Sequence, residues 1–157
     1  MLDLPMLAFK IKGIDEYVEL TIEKVWGFPN ATDYGGGYGA RGILKIQVAQ
    51  YFVSATHYFT TGELYRFASE LNRCYESLNG VATLENVERE LELQCEFNRL
   101  GHVNISGKIQ ADQSVKNILE FELKTDQTQI KDLLLQLKKV INIFGDNEGK
   151  DKNIVSL

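Results

Sequence analysis

Only two cysteines, Cys74 and Cys95, and two histidines, His57 and His102, occur in the 157 residues. The cysteines fall within an apolar helix face and an alternating strand, which is the placement of reduced core thiols rather than of a disulfide framework. Neither histidine has a cysteine or carboxylate at metal-ligand spacing, and a metal centre needs three or four convergent ligands. No metal and no cofactor are therefore expected. No apolar run approaches the ~20 residues that span a bilayer. The first residues, MLDLPMLAFKIKG, carry no basic leader followed by a long apolar region, so no signal peptide is read there. These absences point to a reducing, cytoplasmic setting. There is also no cationic excess. The formal net charge is −5, which argues against a nucleic-acid binder and permits a basic protein partner.

The pattern that is present alternates with period two along most of the chain. Leu7, Phe9 and Ile11 begin it. Val18, Leu20 and Ile22 follow, against Glu19, Thr21 and Glu23. After a loop, Asn30 to Gly39, the alternation returns with Leu44, Ile46 and Val48, and again over Tyr51 to Phe59. Residues 81–86 read as a connector. Leu91, Leu93, Cys95 and Phe97 then oppose Glu90, Glu92, Gln94 and Glu96. Val103, Ile105, Gly107 and Ile109 form a further set, and so do Leu119, Phe121 and Leu123. Short polar turns at Asn98–Gly101 and Asp112–Ser114 imply an antiparallel meander.

Two stretches change to helical spacing. After Thr60 the apolar positions are Leu64, Phe67, Ala68, Leu71, Cys74, Tyr75 and Leu78. Thr60 and Glu63 have the spacing of a capping box, and Gly80 reads as the stop. A second helix begins near Asp126, buries Ile130, Leu133, Leu134, Leu137 and Ile141, and closes at Gly145. The expected fold is α+β, a two-layer, mainly antiparallel sheet of about six to seven strands with two helices packed on one face. Residues 1–145 read as one domain. Residues 146–157 read as a polar, loose tail in which Ile154, Val155 and Leu157 are the residues able to dock. No internal repeat is seen in the sequence.

Candidate sites follow from this layout. The run Gly35-Gly36-Gly37-Tyr38-Gly39 lacks the lysine and hydroxyl residue of a phosphate loop and leads into a strand, so it reads as a loop. Its tyrosines, Tyr34 and Tyr38, suit an interface. Cys74 and Cys95 are poor nucleophiles if buried, and no serine sits in a nucleophile elbow. The carboxylates are more informative. Glu88, Glu90, Glu92 and Glu96 share strand parity, and so do Glu120 and Glu122, and Glu19 and Glu23. With helices on the apolar side, all of these project from the open side. A solvated face is one explanation. A negative docking surface for a basic partner is the other.

Several stretches together resemble the WapI family of bacterial immunity proteins. They are Trp26-Gly27-Phe28-Pro29, the glycine loop running to Arg41-Gly42, Tyr58 to Tyr65, Leu71 to Gly80, Leu100-Gly101-His102 with Ile105-Ser106-Gly107, and Phe121 to Ile130. The resemblance implies a cytoplasmic antidote that binds the C-terminal domain of a polymorphic, wall-associated or contact-dependent toxin, often a nuclease. It supplies no catalytic residues. The competing expectation is a small-ligand binder or enzyme with a cavity between helices and sheet, lined by His57, Tyr58, Tyr65 and Arg66.

Overall fold

A computed structural model describes residues 2–150. The chain runs β1 (Met6–Lys12), β2 (Tyr17–Val25), β3 (Gly39–Val48), β4 (Tyr51–Thr60), α1 (Thr61–Ser77), β5 (Gly80–Glu85), β6 (Leu91–Phe97), β7 (His102–Gln110), β8 (Ile118–Asp126) and α2 (Gln127–Phe144). The class is α+β and mainly antiparallel, as the alternation predicts. The strands form two separate four-stranded meanders, ordered β1-β2-β3-β4 and β5-β6-β7-β8. The one strand beyond the seven expected is β5, where residues 81–86 read as a connector from sequence.

The chain breaks into two sheets because α1 intervenes after β4. Thr60 ends the strand and caps the helix in one step. Its Oγ1 accepts from the Glu63 N–H, and its own N–H donates to Glu63 Oε2, which is the reciprocal capping box. The helix ends on Leu78, at φ 51° and ψ 40°, two residues before the expected stop at Gly80. The chain then pairs at once with β6, Val81 opposite Glu96 and Leu84 opposite Leu93.

The second half repeats the topology of the first. Asp126 ends β8 and caps α2 by accepting from the Gln129 N–H at 3.1 Å. The first residue of each helix donates its N–H to the carbonyl just before the third strand of its own meander: Thr61 to Tyr38, and Gln127 to Gly101, both at 2.9 Å. Each helix then packs on the first strand of the other half, α1 on β5 and α2 on β1, and the helices pack on each other. The repeat is one of topology, carried by burial pattern and caps. That is why residue identity does not reveal it.

A single core joins both halves. It includes Leu20, Ile22, Leu44 and Ile46 from the first sheet, Leu93, Cys95, Ile105 and Leu123 from the second, and Leu71, Leu133 and Leu137 from the helices. Each such side chain contributes roughly 1.5–3 kcal/mol by leaving water. Irregularities explain the parity exceptions. A bulge between Leu7 and Phe9 turns both Ala8 and Phe9 inward, leaving Leu7 exposed.

Candidate functional site

The two sheets turn outward faces of different character to solvent. On the second sheet, register places Glu85, Glu92, Lys108 and Glu120 in one row across all four strands. Gln94, Ser106 and Glu122 form the next row, and Glu96, Asn104 and Lys124 the third. Glu85 lies directly opposite Glu92, an arrangement that costs stability because like charges face each other. Glu92, Gln94, Ser106, Lys108, Glu120 and Glu122 surround a shallow hollow of about 370 Å³. Glu85 belongs to this face although sequence parity missed it; recognising residues 80–85 as a strand would have found it.

The first sheet is arranged otherwise. Glu19 sits between Lys10 and Lys45 in its row. Glu23 lies 3.8 Å from the Arg41 guanidinium, and Lys12 and Lys24 add further positive charge. Glu19 and Glu23 are thus held apart from the other carboxylates, on a face where cations prevail. The division into two sheets separates them.

Glu90 also departs from the expected face. The turn Asn86–Arg89 closes on an Arg89 N–H to Asn86 carbonyl bond of 2.9 Å, and Arg89 adopts φ 59°. Strand parity therefore begins only at Leu91. The Glu90 carboxyl reaches back to His57 Nδ1 at 3.4 Å. Burial lifts the Glu90 pKa, and neighbouring Glu88 adds to the rise. Glu88 itself is exposed.

His57 and Asn86 form a polar seam between the halves. His57 is buried, stacked on Phe59 at 5.8 Å. Asn86 Nδ2 donates to the buried Glu63 carboxylate at 2.7 Å and to the Tyr58 carbonyl at 3.1 Å, while its Oδ1 accepts from the Glu90 N–H. Burial raises the Glu63 pKa against the pull of these hydrogen bonds. Burial likewise pushes His57 down from 6.5 to about 4, so desolvation outweighs the nearby carboxylate. A depressed imidazole pKa adds stability that is full above pH 6.5 and is lost as pH falls through about 4, worth about 3 kcal/mol. His57→Leu should therefore shrink the difference in urea-unfolding free energy between pH 7 and pH 4 by about that amount. An unchanged difference would place the acid sensitivity elsewhere.

The glycine loop is a packing element. Gly62 N–H donates to the Gly36 carbonyl at 3.1 Å and Gly37 N–H to the Asn147 carbonyl at 2.8 Å. With Thr61 and Glu63 N–H groups also bonded, the first turn of α1 has no free donors for a phosphate. Tyr38 is fully buried, which corrects its expected place at an interface. Its ring meets Phe28 and Phe144, and its hydroxyl donates to the Pro29 carbonyl and accepts from the Lys150 N–H, both at 2.9 Å. Residues 146–150, which read as loose from sequence, are tied to this cluster through Asn147 and Lys150. Ile154, Val155 and Leu157 lie outside the described residues. Tyr34 is 90% exposed. It stands with Trp26, Asp33, Tyr58, Val87 and Glu88 around a notch of about 180 Å³, where Trp26 stacks on Tyr58.

The residues expected to line an internal cavity do not converge. His57 is in the seam, Tyr58 faces outward, and Arg66 bonds the Gly35 carbonyl and Asn147 at the surface. Both cysteines are buried, and the Cys95 thiol is pushed far above its ordinary pKa. Among the described residues no helix is long and apolar enough to cross a membrane, and no group of three or more potential metal ligands occurs.

Fold and surface together define an α+β protein that offers charged sheet faces rather than an enclosed site. The chain belongs to the immunity protein WapI-like family, whose model matches residues 9–145. It is thereby an immunity protein, and its implied partner is a protein toxin. A comparison with curated proteins found no match.

Proposed function

We propose that this protein neutralises a cognate bacterial toxin domain by occupying it, without catalysis, through the outward face of β5–β8. The toxin of this reading is a nuclease, the C-terminal domain of a polymorphic or contact-dependent toxin. The protein acts as a single domain in the cytoplasm, where such a toxin does its damage. The observation that carries the reading is the row in which Glu85 and Glu92 face each other with Glu120 beyond Lys108. Carboxylates outnumber cations on this face, Glu85, Glu92, Glu96, Glu120 and Glu122 against Lys108 and Lys124, whereas cations prevail on the first sheet. A nuclease groove is basic, and a carboxylate-rich surface competes there with nucleic acid.

Glu85, Glu92, Glu96, Glu120 and Glu122 form the contact set, with Glu88 and Tyr34 beside the aromatic notch. Glu19 and Glu23 fall outside it because cations flank them, Glu90 because it turns to His57, and Tyr38 because it is buried. The test is co-expression with the toxin domain encoded by the neighbouring reading frame. Rescue of growth and a stable purified complex are expected. Toxicity undiminished by co-expression would overturn the reading.

A further inference from the structure

We propose that the free edge of β4 pairs with the same edge of a second copy, antiparallel, about a two-fold axis through Ser54. The four sheet edges are treated differently. On β1 the Lys10 N–H donates to Gln136 of α2 at 2.7 Å, and on β5 the Thr83 N–H donates to Glu70 of α1 at 3.2 Å. Both edges are thus covered by a helix. The edge of β8 carries Glu120, Glu122, Lys124 and Asp126, charges that oppose pairing. β4 is the topological equivalent of β8, yet its sequence YFVSATHYFT has no carboxylate, lysine, arginine or proline. It pairs with β3 over its whole length without a bulge. A long, regular, uncharged edge is what a further strand requires.

The edge is closed at one end only. The Tyr58 carbonyl accepts from Asn86, and the Thr60 N–H donates to Glu63, so the even-numbered residues turn their backbone groups to the edge. By alternation Phe52, Ser54 and Thr56 do the same, and among the described residues nothing bonds these groups. The inward side chains give the same indication. Val53 and Ala55 stay half-open, while their partners Ile46 and Leu44 on β3 are fully buried. A strand beside β4 would cover them.

An axis at Ser54 uses the open stretch 51–57 and stops short of Asn86. Ser54 then faces Ser54 of the second copy, Phe52 faces Thr56, and Val53 faces Ala55. No like charges oppose, and each copy presents the same unpaired donors and acceptors, so the contact is self-complementary. The axis runs normal to the sheet, which extends to eight strands with both inward faces on one side.

Sedimentation of the protein alone, with amide hydrogen exchange at Phe52, Ser54 and Thr56, tests this independently of any toxin. The expected result is a mass rising toward the dimer with concentration, with those amides gaining protection in parallel. Ser54→Lys places two cations across the axis. Ser54→Pro removes an edge donor that β3 does not use. Each should weaken self-association at least about tenfold without lowering the thermal midpoint of the dilute monomer. A monomer up to about 1 mM would overturn the proposal, as would a dimer indifferent to both variants. Protection seen only in a toxin complex would assign the edge to a toxin strand. Protection in the dilute monomer that is lost on removing residues 151–157 would assign it to the chain's own C-terminus.

Discussion

The combined variant Glu92→Lys, Glu120→Lys and Glu122→Lys should associate with the toxin domain about 10–100-fold more slowly than wild type at low salt. The three side chains sit on the outer face of one sheet, around one hollow, so their fields add. Steering by such a face weakens with ionic strength because the Debye length shortens to about 8 Å near physiological salt. The wild-type rate should therefore fall as salt is added, and the rate of the variant should stay flat or rise. Stopped-flow mixing of the purified pair reads both. The companion variant Glu19→Lys and Glu23→Lys is the control. Those residues already lie among Lys10, Lys45 and Arg41, so its rate should change by no more than about threefold. If the control slows binding and the triple variant does not, the wrong sheet has been assigned.

The second large effect concerns stability, and its sign opposes helix propensity. Gly62 is in the first turn of α1, where Gly→Ala in a helix ordinarily gains up to about 1 kcal/mol. Here a methyl group would enter the contact shell of the Gly36 carbonyl, a backbone group that cannot swing aside. Gly37, at φ 66°, is pressed against Thr61 and the Gly62 nitrogen from the other side. Gly62→Ala should therefore destabilise by about 3 kcal/mol, the overpacking cost exceeding the propensity gain. Urea unfolding measures it. Hydrogen exchange should also rise at Gly37, whose N–H holds Asn147. A gain in stability would mean that the loop does not pack on the helix as described.

Much of the fold was legible because burial follows period. The strand pattern of Leu91 to Phe97 and the cap at Thr60–Glu63 are local, and both appear as read. What escaped depends on partners distant in sequence. That the sheet divides in two follows from α1 packing on β5 rather than on the strands preceding it, and no window of residues records it. The same division placed Glu19 and Glu23 among cations. Parity at Glu90 failed because a left-handed residue, Arg89, intervenes one position earlier. Tyr38 read as an interface tyrosine because glycine surrounds it. Its burial depends on Phe28 and Phe144, the latter at the far end of α2.

The crossing of helices between halves also orders events in time. β1 is synthesised well before α2, which covers it. Until α2 is made, the Lys10 amide lacks its Gln136 acceptor and one flank of the first meander remains open. The interval is nearly the length of the chain, and closing so long a loop slows folding. A strand that waits so long for its covering helix leaves β1 exposed in any translation product truncated before α2.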